Sequence, residues 1–174
     1  ALPISANDFR QTVRIAVAGT IALSISTFYD VQYGVFFVVY PLMLMSLVPM
    51  FNLHVARQFI FSAAVNCVEM VLIVGYLSQW PVIMTLVVFA LYVMRFRFMS
   101  QGPLFLLGSM GVVCQSTMLN FMSYPTSNWH TLMFSNMEAC VMAVALSALL
   151  HYLIPDVEPR KPPPRIEKDA ARIR

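Results

Sequence analysis

Apolar residues run in six long stretches along the chain, separated by short polar or proline-marked connections. A hydrocarbon core about 30 Å thick takes about 20 such residues per helix. The spacing predicts helices over about 8–28, 34–51, 58–77, 81–94, 103–121 and 131–154. Ser5 to Asp8 resembles a capping box ahead of the first helix. Pro81 and Pro103 suit the opening turns of the fourth and fifth, and Pro155 stops the sixth. Pro41 falls inside the second; its ring removes a backbone bond and displaces the carbonyl of Phe37, which predicts a kink. Ala18, Ala22 and Ser26 form a ladder of small residues on the first helix, and Ser135, Ala139, Ala143 and Ser147 form another on the sixth. Such ladders let helices approach closely. The expected fold is all-α: a polytopic membrane domain of six transmembrane helices over residues 1–155, then a proline-rich charged cytoplasmic tail or linker over 156–174.

Charge gives this pattern an orientation. All eleven Lys and Arg residues fall before the first stretch, between the second and third, between the fourth and fifth, or after the sixth. Basic connections stay in the cytoplasm, so both termini are expected inside. Arg10 and Arg14 are then expected near the inner headgroups, and Arg95 and Arg97 are expected to snorkel to inner phosphates. Trp80, Trp129, Tyr29, Tyr33, Tyr76 and Tyr124 gather at the opposite boundary as one half of an aromatic belt. The first stretch is followed by further spans, so it reads as a mature helix and not as a cleaved signal.

Composition agrees, with 59% hydrophobic and 11% charged residues, against roughly 45–50% and about 25% in soluble domains. The net charge of +3 reads as orientation and contact with the lipid bilayer, with no nucleic-acid partner. Cys67, Cys114 and Cys140 all fall inside apolar stretches and read as small packing residues. No phosphate-binding glycine loop, metal-binding histidine pair or nucleophile elbow is present. The expectation is a protein that is not an enzyme and uses no cofactor or metal.

Two carboxylates lie at membrane depth, Glu69 in the third helix and Glu138 in the sixth. Intramembrane acids are costly and by default functional. Each can carry a coupled proton; each can equally be a protonated group held by neighbouring hydrogen bonds. Splitting the bundle after the third helix places each glutamate on the last helix of a three-helix half. Two such halves have opposite topology, as in many transporters. Phe61-Ser62 precedes Asn66 and Glu69, and Phe134-Ser135 precedes Asn136 and Glu138. The densest polar cluster is Asn52, His54, Arg57 and Gln58, after the proline-bearing second helix. With Tyr40 it is a candidate substrate site for an anionic group, Arg57 being the fork-shaped donor. The simpler reading is a basic loop with a helix cap at Asn52. His130, beside Trp129, reads as a headgroup-level residue.

The segments RQTVRIAVAGTIALSIS, YGVFFVVYPLMLMSLVP and FNLHVARQF resemble the fusaric-acid-resistance (FUSC) and aromatic-acid exporter superfamily, in a branch of bacterial inner-membrane proteins of unknown function. The resemblance implies proton-driven efflux of aromatic carboxylates or similar compounds, beside a periplasmic membrane-fusion protein. It also implies a second membrane half after a cytoplasmic segment, so that this chain is the N-terminal half or a half-length version. A homo-oligomer is a further expectation. The alternative is a non-transporting subunit or assembly factor that docks partner proteins through its helices.

Overall fold

The computed structural model describes residues 5–48, 50–125 and 128–157. Of the expected tail over 156–174, residues 158–174 lie outside them. Six α-helices form, with no strand among the described residues: α1 (Ala6–Phe28), α2 (Val35–Leu47), α3 (Leu53–Leu72), α4 (Pro81–Ser100), α5 (Phe105–Met122) and α6 (Trp129–Leu153). A π-helical turn, Ile73–Leu77, extends α3, and a 3-10 turn, Gly102–Leu104, leads into α5. Counting the π turn with α3, five of the helices are long and apolar enough to cross a membrane. The exception is α2, with 13 residues, or about 20 Å at 1.5 Å per residue.

Local chemistry sets the ends. Ser5 caps α1, its hydroxyl accepting from the Asp8 amide at 3.1 Å. The second helix is shorter than expected and stops at Leu47, because Val48 precedes a proline and adopts extended backbone. The third starts at Leu53, ahead of the expected boundary, because Asn52 caps it by accepting from the Val55 amide at 2.8 Å. Pro81 opens α4, which runs past Met94 to Ser100 and so carries Arg95 inside the helix.

Helix α1 packs on α2 and α6, α2 on α6, α3 on α5 and α6, and α4 on α5 and on the π turn of α3. The helix ends meet accordingly. At the basic end Gln11 Nε2 donates to the Met45 carbonyl at 2.6 Å, joining the start of α1 to the end of α2. At the aromatic end the Ser135 hydroxyl donates to the Gln32 carbonyl at 3.1 Å, joining α6 to the α1–α2 turn.

These pairings are unchanged when α1, α2 and α3 exchange places with α4, α5 and α6. The residues keep the same register. Phe61, Ser62, Cys67 and Val68 stand in a constant step from Phe134, Ser135, Cys140 and Val141. At these four pairs the Phe and Val positions are exposed and the Ser and Cys positions buried in both halves. Ala22 corresponds to Arg95, both buried, and Phe36, Tyr40 and Leu44 to Met110, Cys114 and Met118, all buried. The hydrogen bonds repeat too: the Ser62 hydroxyl donates to the Leu107 carbonyl of α5 at 3.4 Å, as Ser135 does to Gln32. The bundle is therefore two three-helix halves of inverted topology, interleaved about α3 and α6. This register corrects the one suggested by the text around the glutamates. It pairs Asn66 with Ala139 and Glu69 with Met142, so Glu69 and Glu138 are not equivalents.

Arg14 departs from its expected place at the headgroups. It is fully buried. Its Nε donates to the Ile154 carbonyl at 2.7 Å and its Nη1 to Gln11 Oε1 at 2.9 Å. Its Nη2 also donates to Ile154 and forms an ion pair with Asp156 at 3.0 Å. The last carbonyls of a helix carry partial negative charge and lack backbone donors. Arg14 supplies those donors and ties α1 to the end of α6.

Candidate functional site

Arg95 is the centre of the site. It is 2% exposed and lies inside the bundle. Its Nη2 donates to Glu69 Oε2, and its Nη1 donates to Asn66 Oδ1 at 2.7 Å. The expected snorkelling is thus replaced by a buried ion pair, for a geometric reason. Side chains on a helix lean toward its N-terminus. The N-terminus of α4 is at the aromatic end, so Arg95 leans away from the basic headgroups and toward the bilayer centre. The N-terminus of α3 is at the basic end, so Glu69 leans the opposite way and the two charges meet. Arg97 is exposed in the last turn of α4.

Helix α5 makes room for the guanidinium. A Cβ on Gly111 would fall inside it, 2.6 Å from Cζ. The inverted register gives the reason. Where the first half places Ala22 on α1 and Phe37 on α2, the second places Arg95 on α4 and Gly111 on α5. A small–large pair is replaced by a large–small one, and the large residue is charged.

Glu69 has two sides. One accepts from Arg95; the other faces a lateral groove of about 380 Å³ between α3 and α4, walled by Ile73, Tyr76, Val87 and Leu91. Its carboxyl side chain remains 19% exposed. The π-helical turn forms the groove's far wall and has a second, smaller apolar cavity of about 220 Å³ behind it, against Met122 and Trp129. π-Turns inside α-helices frequently mark functional sites.

From Arg95 a polar seam crosses the core. Asn66 Nδ2 donates to the Met110 carbonyl at 3.4 Å, and Cys114 lies beside Asn66 and Tyr40. The Tyr40 hydroxyl donates to Asn136 Oδ1, and Asn136 Nδ2 donates to Cys67 Sγ at 3.1 Å. Tyr40 and Cys114 are counterparts in the two halves, so the seam passes through the point where the halves meet. Gln115, fully buried on α5, has neither amide atom paired among the described residues. In a membrane, buried polar groups of this kind are costly unless they bond one another or a ligand.

The other sequence candidates sit elsewhere. Asn52, His54 and Arg57 are exposed in the cap and first turn of α3, and Gln58 is half-buried. Tyr40 is buried in the core against Phe36 and Phe59 and is not joined to that cluster. Pro41 is buried within α2. Glu138 is exposed on α6, two residues from buried Asn136 and therefore on the opposite face, with no partner among the described residues. His130 stacks on Trp129 at the aromatic end. Sequence reasoning singled out Glu69 as a candidate, placed Arg95 at the headgroups and did not reach Gly111 or Gln115. The available signal was that a basic residue set several positions inside the end of a span, on a helix starting at the far side, leans inward.

A family model, a protein of unknown function (DUF2955), matches residues 11–150, and the chain belongs to that family. No curated protein and no solved structure matches the chain.

Proposed function

We propose that this member of the DUF2955 family is the membrane component of a proton-coupled exporter of small aromatic or anionic compounds. The reading places it in a bacterial inner membrane with both termini cytoplasmic. It takes its substrate class from the resemblance to the FUSC and aromatic-acid exporters and from the groove itself. The observation that carries it is the Arg95–Glu69 pair, buried at membrane depth with Glu69 facing an apolar groove. A proton on Glu69 removes the counter-charge of Arg95 and frees its fork-shaped donor for a carboxylate. Deprotonation restores the internal pair and expels the anion. The Glu69 carboxylate and the substrate anion thus compete for Arg95, so the proton state of Glu69 and anion binding are linked, which is the elementary requirement for coupling. The aromatic ring of such a substrate fits the walls of Ile73, Tyr76, Val87 and Leu91. A periplasmic membrane-fusion protein would continue the export route.

The test is reconstitution. Vesicles carrying the chain and loaded with an aromatic carboxylate should release it when a pH gradient is imposed, and collapse of the gradient should stop release. Release at the rate of protein-free vesicles would remove the transport reading. A second reading, a non-transporting subunit that docks partners through its helices, draws on the unpaired Glu138 on the exposed face of α6.

Orientation is tested separately. Single cysteines at Gln32 or Gln79, exposed in the aromatic-end turns, should react with an impermeant thiol reagent added outside intact cells. Cysteines at Arg57 or Gln101, exposed at the basic end, should be protected. The reverse pattern would invert the assignment.

A further inference from the structure

The two halves share one register but differ at one pair of junctions. At the basic end α1 meets the last turns of α6; the counterpart, at the aromatic end, is α4 against the last turns of α3 and the π turn. Arg14, Ala18, Ser147 and Leu150 are buried at the first junction. Their counterparts Val87, Leu91, Val74 and Leu77 are only half-buried. At the basic end Ala18, Met45 and Leu150 pack into one cluster, which the bonds of Arg14 to Ile154 and Asp156 clamp shut. At the aromatic end the corresponding space is the Glu69 groove. The backbone differs in the same sense: Ile73–Leu77 is π-helical, whereas residues 146–150 of α6 are regular α-helix.

We propose that these junctions are a pair of alternating gates, and that the described state is the one open at the aromatic end and closed at the basic end. In the opposite state α4 seats on α3 as α1 now seats on α6, the π turn tightens to α-helix, and the Arg14 clamp opens. Inverted repeats make this exchange inexpensive, because each half adopts the arrangement its counterpart already holds. Packed interfaces switch between discrete arrangements and do not deform continuously. The Glu69–Arg95 pair spans the α3–α4 junction, so a proton or an anion arriving there biases the exchange. The proposal deepens the transport reading, but its primary readout is conformational.

Two double-cysteine variants in native membranes test it; the native cysteines are buried and can remain. Ala18→Cys with Leu150→Cys joins positions of one packed cluster and should form a disulfide rapidly in the resting protein. Leu77→Cys with Leu91→Cys, the counterpart pair across the groove, should cross-link slowly at rest. Adding Arg14→Gln to the second variant removes the clamp's charge-assisted bonds and should raise its cross-linking rate on the order of ten-fold. A rate unchanged by Arg14→Gln, or a groove pair that cross-links as fast as the basic-end pair at rest, would overturn the gates. Clamp-dependent cross-linking in a protein whose vesicles release no carboxylate would leave the gates standing and remove the transport reading. A folding control is Arg14→Lys, which keeps a charge at the clamp and should give a rate between the two.

Discussion

Replacing Arg95 with Met should strip most of the protein from the membrane, whereas Glu69→Gln should leave it inserted and abundant but inactive. Both changes remove one charge of the same pair, and the asymmetry comes from what each leaves behind. Arg95→Met leaves Glu69 and Asn66 without their shared donor. Breaking a buried pair from one side costs about 3–5 kcal/mol, a large share of the stability of a typical domain. Glu69→Gln keeps an amide oxygen that still accepts from Arg95, and it imitates the protonated acid. Structure is then retained while the titration that couples proton to anion is gone. Glu69→Asp keeps the carboxyl but withdraws it by one methylene, so partial export with an altered pH dependence is expected. The double variant Arg95→Met with Glu69→Gln should recover much of the lost abundance and none of the transport, because no uncompensated charge remains in the core. Membrane abundance and thermal unfolding, measured beside export as a function of external pH, separate these outcomes. Wild-type export with wild-type pH dependence in the Glu69→Gln variant would end the proton-carrier role.

Gly108→Ala and Gly111→Ala, one helical turn apart on α5, should fail in different ways. A Cβ on Gly108 meets backbone of α4, 2.5 Å from the Arg95 carbonyl oxygen and 2.8 Å from the Met99 nitrogen. Backbone cannot step aside, so α4 and α5 must separate. Overpacking of this kind costs about 1–3 kcal/mol, and the variant should show lower thermal stability and abundance. The three atoms nearest a Cβ on Gly111 all belong to the side chain of Arg95. That side chain can move, but only by leaving Glu69 and Asn66. Gly111→Ala should therefore be milder in stability and severe in transport, with a pH profile displaced like that of a Glu69 variant. Equal loss of stability in both, with normal export per molecule of Gly111→Ala, would mean that the position of Arg95 does not matter to transport.

Much of the architecture was legible in the chain. Six apolar stretches, five of which form helices of spanning length, proline and asparagine at helix starts, and basic residues confined to alternate connections point to an all-helical membrane bundle with both described ends at one side. These are local or periodic signals, and the bilayer makes them decisive, because every backbone polar group in lipid must be paired within its own helix. The small-residue ladder on α6 was legible for the same reason: Ser135, Ala139, Ala143 and Ser147 are all buried against neighbouring helices. Glu69 could be singled out because a charge at that depth demands an explanation.

What the chain by itself could not decide was which groups meet. Arg95 read as a headgroup residue because distance along a helix measures depth but not the direction of a long side chain. Only the antiparallel placement of α3 and α4 turns Arg95 and Glu69 toward each other, and only the absence of a side chain at Gly111 admits the guanidinium. The two glutamates looked alike in local text, yet packing sends one into the groove and the other to the outer face of α6. The inverted repeat was suggested by helix count and two short words. Its register became visible through burial, since the halves share few identities but bury corresponding positions. Sequence determined the elements, their order and their insertion, because each depends on a span's own residues and the surrounding lipid. Tertiary structure decided the ion pair, the groove and the unequal junctions, because each depends on side chains from different helices competing for the same space.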